Sequence, residues 1–453
     1  MNINRIQHIF FLGIGGIGMS AMARYFHDRG VHVSGYDKTP SPITQGLTEE
    51  GIQVGFEDDP LSLPADTELC IYTPAIPSGN RLLMHCRAQG IPLLKRAVIL
   101  GELSRQIPCI AVAGTHGKTS ICTMLTHILK TADIPSEALL GGISANYNTN
   151  YLGDKQARWL IAEADEYDRS FLHLQAEMAI ITSTDPDHLD VYGNRESMLG
   201  SFSSFAERVR AEGPLLVRDG LQDAGIQHGR LLTYGTGMDA DYRAGNIRIL
   251  EGTYHADFSG LLDMPDVAIG TPGRHNVENA LAAAAIAYQV GADPKHIRAA
   301  LASCLGVKRR FEIIYRSTAV TYIDDYAHHP RELAACIQTA REMFPGKKIT
   351  GVFQPHLYSR TRDLAQWFAE SLEMLDEAIL LEIYPAREEA MPGIHSGIIL
   401  EKISSRDKLL TCREKLLEVL QNRDLEVLIT MGAGDIDRMV GPIREMLIRR
   451  KNT

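Results

Sequence analysis

Six residues, Gly114-Thr115-His116-Gly117-Lys118-Thr119, stand between a buried apolar run, Cys109–Ala113, and a stretch with apolar residues at Ile121, Met124, Leu125, Ile128 and Leu129. That spacing has the helical period. A glycine-containing turn that opens a helix aims backbone N–H groups at phosphate oxygens, and the helix dipole adds to the attraction. The Lys118 ammonium has the reach of the β- and γ-phosphates of a nucleotide, and the Thr119 hydroxyl is a ligand for Mg2+. Val112 occupies the place of the first glycine in the full phosphate-loop pattern, and no nearby motif reads the base.

Two acidic clusters follow. Glu163-Ala164-Asp165-Glu166-Tyr167-Asp168 comes after the strand-like Trp159–Ala162, and Thr184-Asp185-Pro186-Asp187-His188-Leu189-Asp190 comes after Met178–Thr182. Carboxylates are the hard oxygen ligands that Mg2+ prefers. Open α/β sheets bind ligands at the carboxyl ends of their strands, so both clusters are expected to face the phosphate loop. A pair of solvated acidic turns is the competing reading, and the phosphate loop in the same unit weighs against it.

A second glycine loop, Gly13-Ile14-Gly15-Gly16-Ile17-Gly18, follows the first strand, and Asp37 ends the second. Alone this pattern suits the pyrophosphate and ribose of NAD, but any pyrophosphate fits such a helix N-terminus. In Gly273-Arg274-His275-Asn276-Val277-Glu278-Asn279, the two asparagines share a helix face. The basic cluster Lys308-Arg309-Arg310 leads into the last third of the chain. There, Asp324-Asp325-Tyr326-Ala327-His328-His329 and Gln354-Pro355-His356-Leu357-Tyr358-Ser359-Arg360-Thr361-Arg362 each follow a strand-like run. Such groups are costly as core, which favours a site, and Arg360 and Arg362 have the fork geometry that clamps a carboxylate.

The elements that must carry these residues alternate strand and helix. Strands are expected at Ile9–Leu12, Val31–Tyr36, Leu69–Tyr72, Val320–Ile323, Ile349–Phe353, Ala378–Ile383 and Val427–Met431, and helices at Met19–Asp28, Asn279–Val290, Pro330–Met343 and Asp363–Leu375. This is an α/β pattern, with units expected over 1–107, 108–312 and 313–453. The 453 residues carry a net charge of -10, which argues against a nucleic-acid partner held by phosphate neutralisation. No apolar run is long enough to cross a bilayer, so no membrane insertion is expected. The seven cysteines are scattered without a C-x-x-C pair, which reads as reduced thiols in a cytoplasmic protein.

Taken in order, GTHGKT, EADE, DPDHLD, GRHNVENALAA and GVKRRFE resemble the Mur ligases over essentially the whole chain. GIGGIGMSAMA, DDYAHHP and FQPHLYSRTRDL look most like the branch of that family that adds L-alanine. The resemblance implies three domains: an N-terminal Rossmann-like domain for a UDP-sugar, a central P-loop ATPase-like domain, and a C-terminal Rossmann-like domain for an amino acid. It implies ATP-dependent ligation of L-alanine to the lactoyl carboxylate of UDP-N-acetylmuramate through an acyl phosphate, in a monomer or homodimer.

The resemblance also assigns residues. Gly114, Thr115, His116, Gly117, Lys118, Thr119 and Ser120 would hold ATP phosphates, with His275, Asn276 and Asn279 around the nucleotide, Arg310 on the γ-phosphate and Asp325 on the ribose. Thr119, Glu163 and His188 would hold two Mg2+ ions, with Mn2+ as an alternative. Gly15, Gly16, Ile17 and Gly18, with Asp37, Thr73, Pro74 and Ala75, would bind the UDP-sugar, and Gly141, Gly142 and Asn146 its muramoyl end. Tyr326, His328 and Arg360 would surround L-alanine, and Lys118, His188, Arg310, His328 and Arg360 would carry catalysis. Two departures stand out. Leu357 occupies a position where many relatives have arginine. No lysine occurs from Gln156 to Pro294, so the carbamylated lysine of several relatives is absent. The rival readings are a ligase that attaches a whole tripeptide, an NAD-dependent oxidoreductase built on Gly13–Gly18, and a non-catalytic nucleotide-binding regulator.

Overall fold

Runs such as Ile9-Phe10-Phe11-Leu12 and Ile110-Ala111-Val112-Ala113 lack any polar residue, as a strand covered on both faces requires. Each becomes an interior strand of a sheet. The computed structural model describes residues 3–185, 192–221, 225–386, 388–404 and 407–450.

The first sheet contains β1 (His8–Leu12), β2 (His32–Tyr36), β3 (Gln53–Gly55), β4 (Leu69–Tyr72) and β5 (Leu93–Lys95), in the order β3-β2-β1-β4-β5. All its pairings are parallel. The strand order reverses at β1, and this is where doubly wound sheets bind ligands. The helices here are α1 (Ile17–Asp28), α2 (Pro42–Glu49), α3 (Arg81–Ala88) and α4 (Arg96–Gln106).

The second sheet is mixed. Its described strands are β6 (Cys109–Ala113), β7 (Ser136–Ser144), β8 (Thr149–Leu152), β9 (Trp159–Ala164), β10 (Met178–Ile181), β11 (Leu215–Arg218), β12 (Leu231–Gly235), β13 (Tyr242–Leu250), β14 (Thr253–Gly260) and β15 (Met264–Ile269). Their order is β15-β14-β13-β12-β11-β10-β6-β9-β7-β8. β6 therefore runs between β10 and β9, parallel to both. Helix α5 (Lys118–Thr131) leaves β6 through the phosphate loop. At the far edge, β7 and β8 pair antiparallel.

The third sheet contains β16 (Glu312–Arg316), β17 (Thr321–Asp325), β18 (Ile349–Phe353), β19 (Glu377–Leu380), β20 (Lys408–Leu410) and β21 (Val427–Met431), in the order β16-β17-β21-β18-β19-β20. Only β16 is antiparallel to its neighbour. The α/β class with three sheets agrees with the sequence pattern. One difference bears on the site: the helix expected from Asp363 begins at Tyr358, so Arg360 lies in its first turn and not in a loop.

The chain divides into two compact units. One takes in residues up to 246 with 256–268 and 276–304; the other takes in 247–255, 269–275 and the chain from 305 on. In the first unit a continuous core joins Phe11 and Phe26 of the first sheet region to Leu139, Leu160 and Phe202 of the second. The second unit packs Tyr322, Val352, Ile379 and Leu428 around their own centre. All seven cysteines are free thiols, and six are buried. Among the described residues, no helix is long and apolar enough to cross a membrane.

Candidate active site

The turn after β6 depends on two glycines in the left-handed region. A Cβ on Gly114 (φ +125°) would collide with Thr182 Oγ1, and one on Gly117 (φ +83°) would stand 2.8 Å from Asn279 Oδ1. The end of β10 braces the loop. Ser183 accepts from the His116 N–H at 3.0 Å and shares a hydrogen bond with the Thr115 hydroxyl at 2.8 Å. Asn279 donates to Asn276 at 3.0 Å, and both amides are buried. Thus the predicted Gly117, Asn276 and Asn279 come together in the first unit. Thr119 and Ser120 fall in the first turn of α5.

Lys118 Nζ donates to the Gly114 carbonyl at 2.5 Å and to Glu166 Oε2 at 2.7 Å. Glu163, at the end of β9, accepts the Gly141 N–H at 2.7 Å. A Cβ on Gly141 would collide with Glu163 Oε2, so any side chain there would force that carboxylate to move. Burial pushes the Glu163 carboxyl above its ordinary range, and hydrogen bonds from Gly141 and Thr119 and the charge of Lys118 oppose the shift. The Thr119 hydroxyl and Glu163 carboxylate form an all-oxygen donor pair, which suits Mg2+ whose remaining ligands are water and phosphate oxygen. No group of three His, Cys, Asp or Glu side chains gathers as a ready-made cage among the described residues. Of the second acidic cluster, Asp185 lies 3.6 Å from His116 Nε2; His188, expected as a ligand, lies outside the described residues.

In the first sheet, the Gly13 and Ile14 N–H groups donate to the Tyr36 carbonyl at 2.8 and 3.0 Å. Asp37 turns inward and accepts the Gly15 N–H at 2.8 Å. A Cβ on Gly13 would meet Thr73 at 3.0 Å, so the expected Thr73-Pro74-Ala75 segment borders the same loop. Gly16 caps α1 and Ile17 and Gly18 open it. A cavity of about 240 Å3 runs from this helix start to the end of β9, lined by Ile17, Gly18, Arg96, Gly141, Glu163 and Asp165 among others. The Arg96 guanidinium lies over Gly18, 2.9 Å from where a Cβ would be, and 3.9 Å from Asp165. Asn146 donates to the Ser303 carbonyl at 2.9 Å.

The second unit gathers the remaining candidates. Asp325 is buried and accepts the N–H groups of Phe311 and Ala327, each at 2.7 Å. Burial raises its carboxyl to about 6, against the pull of Arg310 and those two amides. The Arg310 guanidinium lies 5.4 Å from the Tyr326 ring centre and 3.7 Å from Glu332. His328 sits edge-on to Tyr326, with its ring centre 6.1 Å from that of His356. Burial holds both imidazoles below their ordinary range, His356 at about 4, and the charge of Arg360 adds to this. Arg360 Nη1 and His356 Nδ1 are buried without a hydrogen-bond partner among the described residues. A positively charged guanidinium with unused donors beside neutral imidazoles attracts a small anion such as a carboxylate. His275 belongs to the second unit, at the start of the helix Arg274–Val290.

Three participants escaped the sequence reading: Arg96, Glu166 as the partner of Lys118, and His356. Glu166 and His356 stand inside clusters that were legible, but nothing local distinguishes them from their neighbours. Arg96 carries no signal, since a lone arginine after a strand reads as surface.

Comparison with known proteins extends over the whole length. Family models described as "Mur ligase family, catalytic domain", "Mur ligase middle domain" and "Mur ligase, glutamate ligase domain" match residues 8–107, 112–287 and 309–434. A UDP-N-acetylmuramate–L-alanine ligase of Parabacteroides distasonis is 45% identical over 99% of both chains. One of Porphyromonas gingivalis is 46% identical over 98% of this chain and 99% of that protein. Among solved structures, a UDP-N-acetylmuramate–alanine ligase of Thermotoga maritima superposes with a TM-score of 0.86 at 26% identity, covering 98% of this chain and 99% of its own. A murein peptide ligase of Psychrobacter arcticus shares the fold, with a TM-score of 0.69 at 21% identity over 97% and 98% of the two chains.

Proposed function

The chain belongs to the Mur ligase family, and we propose that it joins L-alanine to the lactoyl carboxylate of UDP-N-acetylmuramate at the expense of ATP, in peptidoglycan precursor synthesis in the cytoplasm. The observation that carries this reading is the cavity of the first unit, with the start of α1 at one end and Glu163 at the other. A nucleotide sugar with its pyrophosphate at Gly15–Gly18 would direct its carboxylate along this cavity toward Glu163.

The reaction has two steps. The lactoyl carboxylate attacks the γ-phosphorus of ATP, the bond to the β-phosphate oxygen breaks, and ADP leaves. The amine of L-alanine then attacks the carbonyl carbon of the acyl phosphate, loses a proton, and inorganic phosphate departs. In the first step two anions must meet. Lys118 and Arg310 supply fixed positive charge to the phosphoryl oxygens as charge develops. Thr119 and Glu163 would hold Mg2+, with His188 as the further ligand the resemblance implies, and the ion would supply neutralisation of phosphate charge. Arg96 adds a cation on the sugar-nucleotide side. Asn276 and Asn279 support the nucleotide through Gly117, and Asp325 serves its ribose. Arg360, with His356, receives the alanine carboxylate. His328, a neutral imidazole near physiological pH, accepts a proton from the alanine ammonium, while Tyr326 walls the pocket. The division into domains at 1–107, 108–312 and 313–453 follows from the same reading.

The deciding assay is phosphate release with ATP, Mg2+ and UDP-N-acetylmuramate, scanned over single amino acids and a tripeptide. L-alanine is expected to give the fastest turnover. Preference for the tripeptide, or no release with any acceptor, would overturn the proposal.

A further inference from the structure

Asn150, on β8, is fully buried and makes three short side-chain hydrogen bonds to one helix. Its Nδ2 donates to the Ile17 carbonyl at 2.6 Å and to Ser20 Oγ at 2.9 Å, and its Oδ1 accepts from Arg24 Nη1 at 2.6 Å. The amide orientation is dictated by the partners: a carbonyl can only accept and a guanidinium can only donate. Arg24 is itself held by Glu50, with contacts of 2.7 and 2.8 Å. A second tie lies at the other end of α1, where Arg29 reaches the fully buried Glu137 of β7 at 2.8 Å and Tyr151 of β8 at 3.1 Å. The β7–β8 hairpin thus grips α1 at both ends.

Only the first tie touches the cavity. Ile17 and Gly18 line one end of it, while β7 carries Gly141, which holds the Glu163 carboxylate at the other. The path from Ile17 through Asn150 to Gly141 and Glu163 crosses the antiparallel β7–β8 pairing at the point where its register shifts, between Leu139 and Ser144. We propose that Asn150 is a positioning residue for the sugar nucleotide: it sets the distance between the pyrophosphate end of the cavity and the Glu163 carboxylate, the metal-holding group toward which the lactoyl end points. The proposal rests on the ligase reading above. The amide touches no substrate; it acts by fixing the first turn of α1. Small misplacements of a bound reactant are enough to cost about 100-fold in rate, so a single buried amide is a sensitive point.

The test compares Asn150→Asp with the wild-type enzyme, in phosphate release with UDP-N-acetylmuramate, L-alanine and ATP each varied in turn. Aspartate keeps the shape and the Arg24 partner but has no N–H to give Ile17 or Ser20. The expected result is a rise of about tenfold or more in KM for UDP-N-acetylmuramate, with a lower kcat. KM for ATP stays unchanged, because the phosphate loop is braced by β10 and Asn279 instead. Ser20→Ala, which removes one of the two acceptors, is expected to shift the same constant in the same direction by less. Glu137→Gln, at the far end of α1, serves as the comparison that loosens the same contact away from the cavity; it is expected to lower the melting temperature and leave KM for UDP-N-acetylmuramate alone. A folded Asn150→Asp enzyme with normal KM for the sugar nucleotide overturns the proposal, as does an equal rise in KM for ATP. A wild-type enzyme that releases no phosphate with these substrates overturns the ligase reading itself.

Discussion

The Lys118 ammonium stands 2.7 Å from the Glu166 carboxylate, and both side chains are largely buried, at 15% and 2% exposure. The cation assigned to the triphosphate is therefore paired with an anion from the next strand end. Lys118→Ala is expected to reduce turnover by about 2–4 kcal/mol of transition-state stabilisation. It also strands a buried carboxylate, so the melting temperature should fall. Adding Glu166→Gln should restore the melting temperature without restoring turnover. Recovery of both together would mean that Lys118 is structural.

Arg96 is the one cation lining the cavity between Gly18 and Asp165 among the described residues. Arg96→Ala is expected to weaken binding of UDP-N-acetylmuramate, measured by calorimetry, by about 1.5–3 kcal/mol, the usual range for a hydrogen bond to a charged group. Affinity for ATP should not change. Equal binding of the sugar nucleotide by both proteins would remove Arg96 from the site.

Asp325 offers a test in pH. Its folded carboxyl titrates at about 6, above the ordinary carboxylate value near 4. Between the two values the folded protein binds a proton that the unfolded chain has lost, so stability falls as pH rises through that window. The contribution is fully present below the lower value and gone above the upper one. Asparagine cannot titrate. The difference in melting temperature, wild type minus Asp325→Asn, should therefore shrink as pH rises from about 4 to above 6. A constant difference would contradict the buried, proton-retaining carboxyl.

His356 should be neutral throughout the physiological range, since burial and the nearby Arg360 and His328 hold it at about 4. Its ring carbon resonances in NMR are expected to stay flat from pH 8 down to about pH 5. Arg360→Ala should raise the midpoint. A titration near the ordinary histidine value in the wild-type protein would contradict a buried His356 beside Arg360.

The absence of lysine between Gln156 and Pro294 predicts that turnover does not depend on bicarbonate. Ligation rates in carbonate-free buffer, with and without added bicarbonate, should coincide. A bicarbonate requirement would point to a carbamylated lysine from elsewhere in the chain.

Several elements were legible to the residue. Leu69–Tyr72, Cys109–Ala113, Ile349–Phe353 and Val427–Met431 are strands with those bounds, because a short apolar run between polar turns has few other ways to be buried. The helix Pro330–Met343 is marked by a proline in its first turn and a capping box between His329 and Glu332. The β7–β8 hairpin was not legible. Its strand Ser136–Ser144 carries Gly141-Gly142 inside and a glutamate near its start, which read as breaks in a strand pattern.

Residue types and local spacing in the chain were enough to determine the phosphate loop, the glycine loop and the order of the acidic and basic clusters, since turns and helix starts depend on neighbours a few positions apart. Which side chains meet was decided only by the tertiary structure. Lys118 meets Glu166 across 48 positions, Arg29 meets Glu137 across 108, and Asn150 meets Ile17 across 133. A buried charge or amide is tolerable only when such a distant partner arrives at hydrogen-bond distance, and no local pattern records which partner that is.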